Sequence, residues 1–519
     1  MKKLLSMCAV ALFALVFVGC NADAIDDGGK TPETPDDKTP KVITIRVSLP
    51  DNASRATYTE DSEGIKLKWE EGDKIGVYGD YDDTNPNEFT LKSGAGTNEG
   101  VFEGVFSKYE YYEDEGEKYY IYDENRFNMA YPYTPGKSIN DFKNELPAKL
   151  VACQKGTLAD LKDYDPIVGL YDKENGKRTL EHSIAVIKVK TPSPSTNQDK
   201  VKVGVRGLWQ PGFTYYAKYN GSAETYIAVP ASEFKTKDLF VAMYDESQNK
   251  CKLYQKSRAE EAGIGKSEMI TVDVSSGTAY EYDCDGLIEN HEYVKMGDNL
   301  GMATMNIGAN SPTGYGYYFR FGDREGWAVL SDDFDVTLSS GNCKQCTRLG
   351  TMKNNSFVDG DKQTFSKNGW LISNQQMVNF QGNPSIKDPN TYITYGDAAT
   401  YNWGGGWKMM NSNIAENWTK KEISTEALKG YELTSGSKTV FLPAACHCSG
   451  AHRQGEVQLY CGHYWSTLID NENYEKTSGS LKGYNWFFVI GRTTEPTGFQ
   501  WIESARYGGF SIRPIIDLK

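Results

Sequence analysis

The chain has 519 residues, with 56 Lys and Arg against 70 Asp and Glu, a formal net charge of −14. No cluster of Lys and Arg interrupts that acidic balance, which argues against nucleic acid as a partner because phosphate binding needs concentrated positive charge. At roughly 100 to 200 residues per domain, the length fits two to four domains, each able to bury a core. The 34 Tyr, 10 Trp and 51 Gly, with short Val/Ile/Tyr runs between turn residues, predict a mainly β protein with few helices.

Residues 1–19 read as a signal peptide. Lys2 and Lys3 precede Leu4-Leu5 and an apolar run from Ala9 to Val18, and a small residue, Gly19, stands at the exit. The apolar core is far shorter than the ~20 residues a spanning helix needs. Val16-Phe17-Val18-Gly19-Cys20 resembles a bacterial lipobox. The resemblance implies cleavage before Cys20 and acylation of its thiol, with the outer membrane as a partner through the lipid anchor; one chain holds marginally and several hold firmly. Asp23, Asp26 and Asp27 are similar to the acidic tag of lipoproteins exported to the outer leaflet. Residues 20–40 are rich in Asp, Thr, Pro and Gly, which cannot offset their ordering entropy, so they read as a disordered tether.

From Lys41 the pattern changes. Val42, Ile43, Ile45, Val47 and Leu49 lie in a β-branched run that predicts a strand. Ile65 to Trp69 alternates strictly, and Glu70-Glu71-Gly72-Asp73-Lys74 turns the chain into Ile75-Gly76-Val77-Tyr78, a hairpin signature. Further strands are predicted over 201–205, 225–229, 239–244, 251–255 and 269–274, with turn residues at all-β spacing.

Ser54-Arg55-Ala56-Thr57, with Trp69-Glu70-Glu71-Gly72-Asp73-Lys74-Ile75-Gly76-Val77-Tyr78, resembles the N-terminal signature of the fimbrillin family, lipoprotein pilus subunits and their minor, tip or anchor relatives. Ala130-Tyr131-Pro132-Tyr133, Asp165-Pro166-Ile167-Val168 and Leu180 to Val189 follow in the expected order. The resemblance implies two transthyretin-like β-sandwiches, over 41–175 and 176–280. It also implies polymerisation with other pilus subunits by strand exchange: proteolysis after an Arg removes an N-terminal strand, and a neighbour's strand fills the groove, which is β-augmentation. Arg55, in a polar loop, is the candidate processing point, against the plainer reading of an exposed loop arginine. Arg46 reads as a strand residue.

After Asp283 to Gly286 the composition shifts to Gly, Trp, Asn and Tyr. Glu292 to Gly297, Met302 to Ala309, Gly314 to Gly322, Trp403-Gly404-Gly405-Gly406-Trp407-Lys408-Met409, Phe441 to Ala445, Gly462 to Thr467 and Arg506 to Pro514 follow in order. This set resembles the major-paralogous (FISUMP-like) module and implies a C-type-lectin-like α+β fold over 285–519. Two stretches depart from it. Met410 to Trp418 stands where the family runs Pro-Thr into an amphipathic helix, although Ser412 or Asn413 can cap a short one. Cys446-His447-Cys448 replaces Gly and Tyr.

Setting aside Cys8 and Cys20, eight of the ten cysteines remain, and in an exported chain their default use is disulfide bonding. Cys343, Cys346, Cys446, Cys448 and Cys461 make the last third the favoured place for bridges. A four-thiolate zinc site from Cys343, Cys346, Cys446 and Cys448 is the weaker reading, because the second pair is spaced too tightly, so no metal is expected. Catalytic patterns are missing: there is no G-x-S-x-G elbow and no H-E-x-x-H. Gly265-Lys266-Ser267 mimics the end of a phosphate loop, but Glu260 stands where its first Gly belongs. His182 reads as a core residue inside an apolar strand, and Arg506 and Arg513 as internal anchors for Gly-rich loops. Glu495-Pro496-Thr497 is a fragment of a calcium-lectin motif with no downstream partner, so calcium is not expected and no cofactor is called for.

Trp403, Trp486 and Trp501 are the candidates for stacking on a glycan, beside the framework residues Trp407 and Trp465, which read as core. The function expected is that of a non-enzymatic cell-surface lipoprotein of fimbrial type. It reads as a minor or tip subunit, because a bulky terminal module fits a tip more easily than a repeating shaft, and its module contacts a host protein or a glycan. The alternatives are a glycan-binding surface lipoprotein without a pilus role, and an enzyme resembling the formylglycine-generating group with Cys446 and Cys461 as its cysteine pair.

Overall fold

A computed structural model describes residues 42–49, 59–61, 64–66, 68–79, 85–106, 111–114, 117–120, 126–176, 178–194, 197–207, 213–266, 268–319, 327–329, 346–348, 385–387, 394–410, 418–425, 428–445, 447–448, 462–469, 484–490, 500–505 and 509–518. The protein is mainly β, as the composition predicts.

The first region is one antiparallel sheet of six strands: β1 (Val42–Ser48), β2 (Lys74–Tyr78), β3 (Asn87–Ser93), β4 (Glu99–Val105), β5 (Arg126–Tyr131) and β6 (Ile167–Asp172), in the order β1-β4-β3-β2-β5-β6. Alternation buries Ile43, Ile45, Val47, Ile75, Val77, Phe89 and Phe102 in one core with Trp69 and Leu180. The turn expected at residues 70–74 is present: Gly72 takes a φ of +86°, open to glycine, and the Glu70 amide donates to Asp73 at 2.7 Å. The hairpin read across that turn is corrected, however. Residues 64–66 pair with 59–61, and the backbone of Trp69 bonds instead to Gly96 and Thr97. The Trp69 indole draws this segment across the sheet, packing edge-on against Phe102 at 4.8 Å and Tyr131 at 5.4 Å.

Helix α1 (Ile139–Val151) starts at a capping box, in which Ser138 accepts from the Asp141 amide and the Asp141 side chain accepts from the Ser138 amide. Ile139 and Phe142 pack with Tyr78 and Ala130 of the first region, and Leu150 enters the core of the second.

The second region is a two-sheet sandwich. Its strands are β7 (Ile184–Lys190), β8 (Val201–Arg206), β9 (Tyr215–Lys218), β10 (Glu224–Pro230), β11 (Ser232–Asp245), β12 (Lys250–Ile264), β13 (Met269–Asp273) and β14 (Tyr280–Asp283). One sheet runs β10-β7-β13, with β7 and β13 parallel, and the other β9-β8-β11-β12-β14. Side chains of both sheets, among them Ile187, Ile227, Val203 and Val241, fill one core. His182 is buried, as the core reading expects, but it precedes β7 rather than lying in it, and its ring hydrogen-bonds the buried Asp165 carboxylate.

The terminal region is built on β15 (Gly286–Ile288), β16 (His291–Gly297), β17 (Leu300–Ala303), α2 (Ala398–Trp403), β18 (Lys408–Met409), β19 (Thr419–Ser424), β20 (Lys429–Ser435), β21 (Lys438–Pro443), β22 (Gly462–Ile469), β23 (Tyr484–Ile490), β24 (Gln500–Ala505) and β25 (Pro514–Asp517). Its main sheet runs β15-β16-β17-β25-β18, so the last strand closes onto the first part of the region. Two three-stranded antiparallel sheets, β19-β20-β21 and β22-β23-β24, stand beside it, with two-stranded pairings of 327–329 with 346–348, 385–387 with 394–396 and 447–448 with 509–510. Residues 411–417, where a short helix is expected, lie outside the described residues.

Candidate functional site

Strand β1 forms one edge of the first sheet. It pairs with β4 along its whole length, from Val42 opposite Val105 to Ser48 opposite Glu99. Ile43, Ile45, Val47 and Leu49 are buried, while Thr44 and Arg46 face out and Val42 is 64% exposed. Among the described residues, only its C-terminal end makes further backbone bonds, from the Ser48 amide to Arg178 O at 2.9 Å and from the Leu180 amide to Ser48 O at 3.1 Å. One ladder, the two bonds of Ser48 and the apolar side chains of Ile43, Ile45 and Val47, with Leu49 next to them, therefore hold the strand. Without β1, the outer edge of β4 would present unpaired amides and carbonyls beside empty core positions, the geometry that accepts an added strand. Arg46 lies within β1, as expected, and Arg55 lies outside the described residues.

A second constellation joins the sandwich to the terminal region. Arg206, at the end of β8, and Glu292, in β16, form an ion pair in which both side chains are fully buried. The Glu292 carboxylate also accepts from the hydroxyls of Tyr216 at 2.6 Å, Tyr282 at 2.7 Å and Thr304 at 2.9 Å. Arg206 Nε donates to Thr214 at 2.7 Å, and Nη1 lies 3.0 Å from the Met305 sulfur. Burial works to raise the Glu292 carboxyl, but Arg206 and the three hydroxyls outweigh it and hold the group below the ordinary carboxylate range. Every lone-pair direction is filled, so the network is suited to fixing geometry.

Around it lie three free thiols, Cys153, Cys251 and Cys284, where a disulfide is the default expectation. Cys251 and Cys284 belong to one apolar cluster with Tyr216 and Tyr244, and Cys153 packs against it. Burial pushes the Cys251 and Cys284 thiols up and suppresses the reactive thiolate.

Of the glycan-stacking candidates, Trp403 is a packed aromatic, 7% exposed, rather than an open platform. Its ring stacks on His291 at 3.9 Å and meets Trp407 edge-on at 5.1 Å. Trp486 and Trp501 lie on β23 and β24, where the register sets Trp486 opposite Glu503 and Trp501 opposite Phe488. Among the disulfide candidates, Cys346 pairs in register with Val329 and Cys448 with Gly509. Cys20, Cys343, Cys446 and Cys461 lie outside the described residues, as do the cysteine pair of the enzymatic alternative and Arg506. Arg513 is an internal anchor: fully buried, it donates to Asn306 at 2.8 Å, Ala303 O at 2.9 Å and Phe441 O at 3.0 Å. Burial lowers its pKa to about 10, which leaves it protonated at neutral pH.

Among the described residues, no group of three or more His, Cys, Asp or Glu side chains is placed to hold a metal ion. Among the same residues, no helix is long and apolar enough to cross a membrane. Sequence reasoning missed the Arg206–Glu292 pair. Its signal was phase: Glu292 shares one side of β16 with the buried Val294 and Met296.

No protein family matches the chain, and no curated protein matches it. A solved structure of a candidate cell adhesion protein from Bacteroides eggerthii DSM 20697 is similar at 11% identity and a TM-score of 0.18, covering 46% of this chain and 89% of that one. At that TM-score the likeness carries no argument, and the fimbrillin-like and FISUMP-like resemblances rest on their motifs alone.

Proposed function

We propose that the protein is a non-enzymatic, lipid-anchored cell-surface adhesin of fimbrial type, a minor or tip subunit that receives a neighbour's strand and presents its terminal region to a host protein or glycan. The observation that carries this reading is the position of β1. The first described strand is an edge strand that fills the core with Ile43, Ile45 and Val47, followed by Leu49, and apart from the two bonds of Ser48 its backbone is paired with one neighbour. A strand of matching alternation from another subunit can replace it without disturbing the rest of the sheet. The same strand precedes Arg55, so a cut there would separate it from the body of the chain.

Cys20 is the proposed acylation site, and the tether of 20–40 then holds the protein at the outer face of the outer membrane. The test is to express the full chain and an Arg55→Ala variant at the bacterial surface, read the mature N-terminus by mass spectrometry, and resolve assemblies on unheated gels. An N-terminus at residue 56 and a ladder of assemblies, both lost in the variant, are expected. Assembly that persists with residues 42–49 still attached overturns the strand-exchange reading.

A further inference from the structure

A cleft of about 350 Å³ lies where β14 of the sandwich meets β20 and β21 of the terminal region. Tyr280, Tyr282, Asp283, Lys250, Glu432 and Thr439 are among its lining residues. We propose that this cleft binds a neutral saccharide, with Tyr280 as the stacking surface. The proposal takes its partner class from the adhesin reading and gives that partner a place and a chemistry.

The size falls within the range of small-ligand pockets, roughly 300 to 1,000 Å³. Tyr280 is 40% exposed, and its ring lies against Tyr282 with centroids 5.8 Å apart and planes 28° apart. A half-exposed aromatic ring offers an apolar face to the C–H side of a pyranose while its edge stays wet. The rest of the lining mixes hydroxyls, carboxylates and one ammonium with the apolar Val294, Pro312, Val440 and Phe441, which suits a ligand with both C–H faces and polar groups that donate and accept.

Charge selects among such ligands. Each carboxylate at the cleft has a lysine beside it: Asp283 with Lys250 at 2.9 Å, Glu432 with Lys421 at 3.3 Å and Glu281 with Lys252 at 3.8 Å. Of these lysines only Lys250 lines the cleft, so the lining holds one ammonium against three carboxylates, a balance that disfavours an anion. Among saccharides, a neutral one remains.

The walls are fixed before any ligand arrives. The Tyr282 hydroxyl is held by Glu292 inside the buried network, and Asp283 accepts the Thr439 amide at 2.8 Å from the facing strand. Preorganisation of this kind lowers the ordering cost of binding.

The test is an array of neutral and sialylated oligosaccharides probed with the detergent-solubilised full chain, followed by calorimetry on the best neutral hit. Wild type is expected to bind at least one neutral oligosaccharide. Tyr280→Ala should weaken that binding by about tenfold or more, and Tyr280→Phe, which keeps the ring, should retain it. Glu432→Gln is a second variant, near-isosteric and at a half-buried strand position, and should weaken binding without loss of the folded circular dichroism spectrum. Failure to bind any neutral oligosaccharide, binding confined to sialylated ones, or binding undiminished in both Tyr280→Ala and Glu432→Gln overturns the proposal. The readings fail separately: a chain that binds no saccharide but assembles and captures a host protein keeps the adhesin reading and loses only the cleft.

Discussion

Arg206 and Glu292, 86 positions apart in the sequence, meet as a fully buried ion pair across the line where the sandwich joins the terminal region. Removing one partner leaves the other as an uncompensated charge in a place water does not reach. Glu292→Gln is expected to destabilise the chain by about 3–5 kcal/mol. The double change Arg206→Met with Glu292→Leu should recover only part of that loss: neither charge remains to be desolvated, but the hydroxyls of Tyr216, Tyr282 and Thr304 lose their acceptor. Urea denaturation followed by tryptophan fluorescence checks both.

The same pair sets a direction for pH. The folded state holds the Glu292 carboxyl below its ordinary value of 4.5, so the unfolded chain takes up the proton first as pH falls. The stabilisation is present above about pH 4.5 and is lost as the pH drops through the depressed folded value. Urea midpoints measured from pH 7 to pH 3 should fall more steeply for wild type than for the Met/Leu double variant.

The edge strand can be tested apart from cells. Ile45 is 2% exposed, and Ile45→Ala is expected to cost about 2–5 kcal/mol of stability in the first region. A chain trimmed to begin after Arg55 should bind a synthetic peptide of residues 42–49, and the same peptide carrying Ile45→Asp should not bind. Fluorescence anisotropy of the labelled peptide reads the difference.

Burial of Cys251 and Cys284 predicts silence toward thiol reagents. Both should resist maleimide in the native protein and label fully in urea, with mass spectrometry assigning the sites. Fast native labelling of either would show that the cluster around Tyr216 opens readily.

Trp403 should behave as a packing residue. Trp403→Ala is expected to cost about 3–5 kcal/mol through the cavity it leaves against His291 and Trp407. A thermal melt of the variant measures that cost.

Local pattern made much of this fold readable. Strands predicted at 201–205, 225–229, 239–244, 251–255 and 269–274 are each observed, because alternation and β-branched residues act over a few positions and need no distant partner. Pairing was less legible. The turn at 70–74 was evident, yet the strand before it joins residues 59–61, because burial of Trp69 against Phe102 and Tyr131 is a long-range term that local spacing does not contain.

The site followed the same rule. Trp403 looked like a surface aromatic until His291, more than a hundred residues earlier in the chain, proved to stack on it. Tyr280 belongs to no motif that marks it in the sequence. Its exposure depends on how β14 meets β21, which single-sequence reasoning does not reach.

Helix α1 has a mechanical consequence. Its first turn, through Ile139 and Phe142, is seated on the sheet that contains β1, while Leu150 near its other end is seated inside the sandwich. Twisting one body against the other would pull an end of this strut from its socket, at roughly 1.5–3 kcal/mol for each large apolar side chain exposed. A tug on the far end of the molecule would thus be passed along as tension through a stiff coupling instead of being absorbed by a swivel.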